Sequence, residues 1–274
     1  MKKRIWARLF CMLLLAAVTG CSVKETEVKY YCISRVAEMP AISAASRMEM
    51  AYDDQWRLVS EITYNDNDDT EVNARYLEYN EDGTEVSVVQ RSDGQENRGQ
   101  FQRTYDEKGN LLKEIGLEDG EEVLSNEYTY DTNGNVLSSI VHPQAPVVIR
   151  NSFEYDDRGN RISHEQITSY DRQETAFTTK TEYLYDEKDH LIREDIYADG
   201  VLGNYAEYEF DEETNTEYGK RCTPDGTVTG KTRRVYDEAG NLLLMEQMEP
   251  DGTVISRTIQ TWAGTDGSIS EFSE

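Results

Sequence analysis

Tyr105-Asp106-Glu107-Lys108-Gly109-Asn110-Leu111-Leu112 is the stretch that decides the fold, because it recurs along most of the chain. Each copy opens on an aromatic residue that is usually followed by Asp, and the nine leading aromatics are Tyr52, Tyr79, Tyr105, Tyr130, Tyr155, Tyr185, Phe210, Tyr236 and Trp262. Successive copies are 25 to 30 residues apart. Self-similarity at so even a period indicates a repeat architecture.

Each unit predicts two antiparallel strands joined by a tight turn. Aromatic residues alternate with others before the turn, as at Phe153 and Tyr155, which places them on one face of a strand. Asp followed three residues later by Gly suits a type I turn with a G1 bulge. The signature residues of the five close copies are Tyr105, Asp106, Gly109, Tyr130, Asp131, Gly134, Tyr155, Asp156, Gly159, Tyr185, Asp186, Tyr236, Asp237 and Gly240. A second turn, such as Glu118-Asp119-Gly120, follows in several units, so the sequence predicts an all-β antiparallel meander of roughly eighteen strands.

These units resemble the YD repeats of RHS-type bacterial proteins, over about residues 48 to 263. Two departures stand out. Asp189 replaces the Gly of the Tyr185 unit, and Asn stands where Arg is commoner, at Asn110, Asn135, Asn160 and Asn241. The resemblance implies extended, curled β-sheets, which in large toxins of the family form a hollow shell around a cargo domain. It also implies links to carbohydrate binding and to surface contact. Nine repeats are expected to be too few to close a shell, so the expected fold is an extended, curled or rolled single sheet.

The N-terminus predicts a lipoprotein signal. Residues 1–20 hold four basic side chains and no acidic one, and an apolar run leads into Val18-Thr19-Gly20-Cys21, which resembles a bacterial lipobox. Cleavage there would leave Cys21 lipidated on the outer face of a bacterial membrane, with palmitate among the acyl chains. An ordinary cleaved signal or an uncleaved membrane anchor are the alternatives. The predicted organisation is a signal peptide over 1–20, a lipid-anchored tether and first strand over 21–47, and a repeat domain over 48–274.

The charge of the chain excludes one class of partner. Removal of the signal takes the formal net charge from −26 to −30, and a chain this acidic is repelled by nucleic acid phosphates. The charge either attracts cations and basic proteins or only keeps a highly exposed β protein in solution. Cys32 and Cys222 remain after lipidation of Cys21, and the sequence leaves open whether they form a disulfide.

No motif of an enzyme is present. His142, His164 and His190 lack the spacing of metal ligands and are interpreted as surface residues. The run Asn65–Asp69 is interpreted as a polar hairpin turn, with weak calcium binding as the alternative. We therefore predict no cofactor, no metal and no catalytic residue.

The 18 tyrosines, against 6 phenylalanines, have two interpretations. They form a cross-strand ladder that stabilises the sheet, or they offer a platform for a ligand. The predicted function is a membrane-anchored, extracytoplasmic lipoprotein that acts as a non-enzymatic binding or scaffolding surface for an unknown protein or carbohydrate. The alternatives are a carbohydrate-binding module that uses the tyrosine face and a cell-surface hydrolase.

Overall fold

The computed structural model describes residues 29–92, 94–143, 147–170 and 176–273. Within them the chain is almost entirely β, apart from a 3₁₀ turn at Pro40–Ile42. The strands are β1 (Tyr30–Met39), β2 (Ala44–Tyr52), β3 (Leu58–Asn65), β4 (Thr70–Tyr79), β5 (Glu85–Ser92), β6 (Gln95–Tyr105), β7 (Leu111–Glu118), β8 (Glu121–Tyr130), β9 (Val136–Pro143), β10 (Val147–Tyr155), β11 (Arg161–Tyr170), β12 (Phe177–Tyr185), β13 (Leu191–Ala198), β14 (Val201–Asp211), β15 (Thr216–Cys222), β16 (Val228–Tyr236), β17 (Leu242–Met248), β18 (Val254–Gly264) and β19 (Ile269–Ser270).

The sheet is a closed antiparallel barrel of eighteen strands. From β2 to β17 each strand pairs with the strands before and after it, and β1 pairs with both β2 and β18, while the two-residue β19 pairs only with β18. We name the pairing of β1 with β18, which closes the barrel, the seam. There Ala37 lies opposite Thr258, and on its other side Ala37 lies opposite Ser46 of β2. The all-β prediction and the strand number are confirmed, whereas the expected open, curled or rolled single sheet is wrong.

The N-terminal strand closes the barrel because it takes the place of a missing return strand. In the Tyr105 unit, Tyr105 lies opposite Leu111 and the Asp106 N–H donates to the carbonyl of Asn110. At the seam, Trp262 lies opposite Cys32 and the Thr265 N–H donates to the carbonyl of Lys29. β1 thus completes the ninth unit, although its sequence carries no repeat signature.

The region predicted as a lipid-anchored tether and first strand contains a strand within its described part. Residues 30 to 39 form a full-length strand, and the chain turns back through Pro40–Ile42 into β2, which begins at Ala44. Ser43 adopts the left-handed conformation with φ of 51°. The described part of residues 21–47 thus belongs to the barrel wall.

The barrel is wide enough to contain a lumen. The registers of the paired strands add up to a stagger of about 20 residues over one circuit of the wall, from β1 back to β1. For eighteen strands this stagger corresponds to a strand tilt of about 40°. With strands about 4.8 Å apart, the wall is then about 35 Å across between Cα atoms. Barrels of this strand number leave an aqueous channel. The described strands in close backbone contact are neighbours in the wall.

The repeat aromatics point into the lumen. Side chains alternate between the two faces of the wall, and those on a concave face converge and cover one another. On the face of the repeat aromatics, the side chains of Arg103 and Glu114 are 23% and 15% exposed. On the other face of the neighbouring strands, Lys113 and Glu127 are 41% and 53% exposed. The aromatic face is the inner wall.

The hydrophobic core is thin and lies on this inner wall. Its buried side chains come from neighbouring strands rather than from two packed layers, and they are Leu77, Val86, Phe101, Leu124 and Val141. A single-layer wall must therefore obtain much of its stability from ladder hydrogen bonds, turns and cross-strand pairs.

Candidate functional site

The aspartates of the repeat signature organise the turns at one end of the barrel, which we name the YD mouth: the end that carries the turns after the even-numbered strands. Asp106 Oδ1 accepts hydrogen bonds from the N–H groups of Lys108 and Asn110, at 2.9 and 2.8 Å. Its Oδ2 accepts from Asn110 Nδ2 at 2.8 Å. The same arrangement surrounds Asp53, Asp131, Asp156, Asp186 and Asp237. These hydrogen bonds favour the carboxylate and lower the pKa of Asp106, with the bond from the Asn110 side chain as the largest cause.

This geometry explains the departures from the family pattern. The residue four after the Asp must donate to its second carboxylate oxygen, and Asn110, His190 and Arg57 all do so. The residue before that donor must adopt a left-handed conformation. Gly109 does this with φ of 85°, while Asp189 and Trp56 do it at 69° and 60°. Each substitution therefore keeps the turn.

The nine repeat aromatics form a ring just inside the YD mouth, because each lies at or next to the end of an even-numbered strand. In most units the aromatic side chain donates a hydrogen bond across to a backbone carbonyl at the beginning or near the beginning of the preceding strand. The described bonds are Tyr52 to Cys32, Tyr79 to Leu58, Tyr130 to Leu111, Tyr155 to Val136, Tyr185 to Arg161 and Trp262 to Leu242. These five hydroxyl groups and the Trp262 indole N–H hold neighbouring hairpins together, and we name each such bond a staple. The staples support the ladder interpretation of the tyrosines over the ligand platform.

One prediction tests the staple. Tyr155→Phe removes the hydroxyl that donates to the carbonyl of Val136 at 3.0 Å, and we expect it to lower the free energy of unfolding by about 0.5–1.5 kcal/mol. Tyr105→Phe is the matched control, since no partner of the Tyr105 hydroxyl is present among the described residues. Chemical denaturation of both variants measures the difference. Equal losses in the two would contradict the staple.

Further from the YD mouth than the circle of nine repeat aromatics, the inner wall from β8 to β11 carries a strip of neutral polar side chains. We name it the amide strip, and its members are Asn126, Ser139, Asn151, His164 and Gln166. Asn151 is its hub: its Nδ2 donates to Ser139 Oγ at 3.0 Å, and its Oδ1 lies 3.1 Å from both His164 Nε2 and Gln166 Nε2. Asn126 and Ser139 are each only 4% exposed. The strip lies beside the ion pair of Arg103 and Glu114.

An aromatic face adjoins the amide strip. The Phe153 ring stacks on the His164 imidazole with centroids 4.7 Å apart and planes 15° apart. The Arg161 guanidinium lies over both the Phe153 and Tyr183 rings, at 5.8 and 4.9 Å. The inner wall thus places flat rings next to hydrogen-bonding amides.

Two histidines interpreted as surface residues have defined partners. His164 lies half-buried in the amide strip, and His190 binds Asp186 and stacks on Phe210 with centroids 4.2 Å apart. His142 lies exposed near the end of β9. Neither the strip nor its histidine could be found by motif, because Asn, Ser and Gln at alternate strand positions carry no signature. The one available signal was strand alternation, which places Asn151 on the face of Tyr155.

His164 makes the stability of the fold pH-dependent. Burial, followed by the nearby Arg161, lowers the pKa of His164 from its ordinary value of 6.5, so the folded protein favours the neutral ring. The contribution of His164 to stability is therefore complete above pH 6.5 and is lost as the pH falls below it. We expect the melting temperature to fall between pH 7.5 and 5, and to fall less in His164→Gln. His142→Gln, at the exposed histidine of β9, is the control variant for the loss of an imidazole.

The cysteines divide into one outside the described residues and two within them. Cys21, with the whole of 1–20, lies outside the residues that the structure describes. Cys32 and Cys222 are both buried free thiols, on β1 and β15. Three strands stand between them in the wall, a separation of about 19 Å along the sheet, so the disulfide left open by the sequence does not form here.

The acidic run Asn65–Asp69 is the hairpin turn between β3 and β4. Asp68 accepts hydrogen bonds from both the backbone and the hydroxyl of Thr70, and Arg47 pairs with Asp66 and Asp69. The described residues contain no cluster of His, Cys, Asp and Glu side chains arranged to hold a metal ion. Nor does any helix in the described ranges have the length and apolar character needed to cross a membrane.

Comparison with known proteins gives structural neighbours only. No family model and no curated protein matches the chain. The crystal structure of TcdB2-TccC3-Cdc42 matches with 12% identity and a TM-score of 0.36 over 82% of this chain and 15% of that chain. A porin-like protein from Bacteroides uniformis matches with 8% identity and a TM-score of 0.43 over 84% and 96%. TcdB2-TccC3 without its hypervariable C-terminal region matches with 15% identity and a TM-score of 0.30 over 80% and 15%. The chain thus spans about 15% of the TcdB2-TccC3 chains it matches, and the YD-repeat resemblance rests on its own residues.

Proposed function

We propose that this protein is a lipid-anchored, extracytoplasmic barrel that acts as a non-enzymatic binding or scaffolding body, with the lumen as its binding surface. The observation that carries the proposal is the lumen itself. An eighteen-strand wall is too wide for its inner side chains to fill, and the inner wall is lined by amides, aromatic rings and paired charges. Barrels of this kind use such space to receive a ligand or a segment of another molecule.

The lipobox and the topology together locate the anchor on the barrel. β1 starts at the YD mouth, and eight residues separate Cys21 from Tyr30. An extended chain of that length reaches at most about 32 Å. A lipid on Cys21 would therefore be attached to the barrel at its YD mouth.

The inner carboxylates support a non-enzymatic role. Each of four glutamates on the inner wall is held by a neighbour on the adjacent strand: Glu61 by Arg75, Glu114 by Arg103, Glu194 by the Tyr208 hydroxyl and Glu217 by Arg234. A hydrolase of the glycosidase type needs two carboxyl groups directed at one bond. Here each of these four carboxylates is bound in a cross-strand pair that stabilises the wall.

The tyrosine face is a weaker candidate for sugar binding. It lies inside the barrel, and the hydroxyl groups of Tyr52, Tyr79, Tyr130, Tyr155 and Tyr185 already donate to backbone carbonyls. A ligand at these tyrosines would find only the edges and faces of their side-chain rings, near the YD mouth.

Replacement of the lipid acceptor tests the anchoring. We expect Cys21→Ser to move the protein from the membrane fraction into the soluble or secreted fraction, with an unchanged circular dichroism spectrum and melting temperature. Cys32→Ser is the control, because that thiol lies inside the barrel wall and its loss should leave the protein in the membrane fraction. Retention of Cys21→Ser on the membrane after a high-salt wash would refute the anchor.

A further inference from the structure

Arg161 is a charged residue at a repeat position that is apolar in the other units with the same turn. It directly follows Asn160, the donor that closes the turn after Tyr155, and the residues at this position in the other units are Leu58, Leu111, Val136, Leu191 and Leu242. Like its apolar counterparts, Arg161 lies opposite the leading aromatic of its unit. Since the apolar residues allow the same turn, the turn itself does not require an arginine.

Aromatic side chains surround Arg161 on the inner wall. Its guanidinium lies over the Phe153 ring of β10 and the Tyr183 ring of β12. Tyr155 is its cross-strand partner, and the Tyr185 hydroxyl donates to its carbonyl at 3.1 Å. Rings over the face of a guanidinium leave the N–H groups along its edge free to donate. In the described part of the chain the guanidinium has one hydrogen-bond acceptor, the Tyr183 hydroxyl at 3.3 Å.

Within the described ranges Arg161 has no carboxylate partner, whereas three other arginines of the inner wall do. Those three pairs are Arg75 with Glu61, Arg103 with Glu114 and Arg234 with Glu217. On β13, Glu194 accepts a hydrogen bond from the Tyr208 hydroxyl at 2.9 Å. In the turn before Arg161, the Asp156 carboxylate is bound by Asn160. A half-buried cation without a counter-ion is unfavourable, so this guanidinium favours an anion supplied from the lumen.

A molecule in the lumen can reach this group. Arg161, Phe153 and Tyr183 are each partly exposed, and all three lie on the inner wall. The Phe153 ring stacks on the His164 imidazole, so flat apolar surface continues from the guanidinium towards the amide strip. A planar fork of donors beside flat rings suits a ligand that joins a carboxylate to an aromatic body.

The turn aspartates of the YD mouth favour a ligand with a single negative charge. Hydrogen bonds lower the pKa of Asp106, with the bond from the Asn110 side chain as the largest cause, and the same turn surrounds Asp156 and Asp186. These carboxylates are ionised at neutral pH and repel an anion more strongly the higher its charge. A monocarboxylate is repelled least and still matches the bidentate geometry of an arginine.

We propose that Arg161 binds the carboxylate of an aromatic monocarboxylate in the lumen, with the ring of the ligand packed beside Phe153 and Tyr183. The inference rests on the proposed function of the lumen as a binding surface, and it names a ligand class for that surface.

Calorimetric titration of the chain from Ser22 onward, which contains all nineteen strands, tests the proposal. The probes are hydrocinnamate, its neutral amide of the same shape, and inorganic phosphate. We expect hydrocinnamate to bind saturably, and the amide and phosphate to bind at least about tenfold more weakly, because charge-assisted hydrogen bonds are the strong ones. Ring resonances of His164 should shift on binding, and those of His142, on the outer face of β9, should not.

Three variants make the result specific. Arg161→Leu introduces the residue found at this position in four other units, so it should fold with an unchanged melting temperature and lose hydrocinnamate binding about tenfold or more. Arg161→Lys keeps the charge but not the planar fork and should also weaken binding. Arg150→Leu, which removes an exposed arginine from the outer face of β10, should bind like the wild type.

Four results would overturn the carboxylate site. They are no binding of hydrocinnamate, tighter binding of phosphate, wild-type binding by Arg161→Leu, and equal binding of the amide. Wild-type binding together with a lower melting temperature in Arg161→Leu would show that the guanidinium only packs against the rings. Equal binding of the amide with shifts at His164 would leave the lumen a binding surface without an anion site. The anchor is tested separately, by fractionation of Cys21→Ser.

Discussion

A chain that begins at Ala44 should lose the closed barrel. β1 supplies six residue pairs to β2 and eight to β18, and its removal leaves two long unpaired edges on a sheet with a thin core. Such edges pair with other chains. We expect this truncation to give oligomers or aggregates in size-exclusion chromatography, with strand content retained in circular dichroism.

A matched truncation at the other end provides the control. Removal of residues 269–274 deletes β19, whose described contacts are two pairs with β18 and a hydrogen bond from Ser270 to Asp237, and leaves the seam intact. It should elute in size-exclusion chromatography as the intact chain does. A compact, monomeric protein lacking β1 would show that the barrel does not depend on closure.

Closure can also be trapped directly. Ala37 and Thr258 are partners across the seam, and cross-strand partners have Cα atoms about 4.5–5.5 Å apart, within the range of a disulfide. The double variant Ala37→Cys, Thr258→Cys should cross-link on oxidation and migrate differently on a non-reducing gel. The pair Ala37→Cys, Thr181→Cys, with the second cysteine on the far wall, should not.

Gly219→Ala should be the most disruptive single-methyl change in the wall. A Cβ at this position would lie 2.3 Å from Thr232 Oγ1 and 2.8 Å from Tyr208 Cε1, because the Tyr208 ring lies over the glycine. We expect a loss of about 1–3 kcal/mol, and a fall in melting temperature of about 3–10 °C for a domain of this size. Thermal melting measures it.

Gly203→Ala is the matched control for this change. Gly203 also lies within a strand, yet its nearest contact for a Cβ is the carbonyl of Ile196 at 3.6 Å, an ordinary distance. Alanine is favoured over glycine in a strand, so this variant should be neutral or slightly stabilising. A second readout is the hydroxyl of Tyr208, whose pKa is raised to about 12, first by burial and then by Glu194. Displacement of the ring by Gly219→Ala should bring that pKa back towards 10, and equal behaviour of both alanine variants would contradict the packing.

The turns and strands could be predicted from the sequence because they are local. Tyr-Asp-x-x-Gly carries its own hydrogen-bond donors and its own left-handed residue, so Asp131 and Gly134 define a turn without help from the rest of the chain. The alternation of Phe153 and Tyr155 likewise defines one face. Both predictions needed only neighbours within one repeat.

Closure and the amide strip could not be predicted in this way. β1 pairs with β18 across more than two hundred residues of sequence. The sequence of Tyr30–Met39 lacks the repeat signature, so nothing in it predicts this pairing. Whether a curled sheet closes depends on the tilt summed over all strands, which no single unit contains. The strip forms because the registers place Asn126 of β8, Ser139 of β9 and the paired Asn151 and Gln166 of one hairpin on the same face of the wall.

The seam also determines the order in which the fold can be completed. Apart from β1 and β18, each long strand finds both of its partners within about one repeat, whereas β1 emerges first from the ribosome and must wait for β18, the last long strand. The pairing of Arg35 with Gln260 is among the contacts of the barrel most distant in sequence, and contacts so distant form slowly. During synthesis β1 has one unpaired edge for longer than any other strand, so it is the segment that a folding chaperone would need to cover.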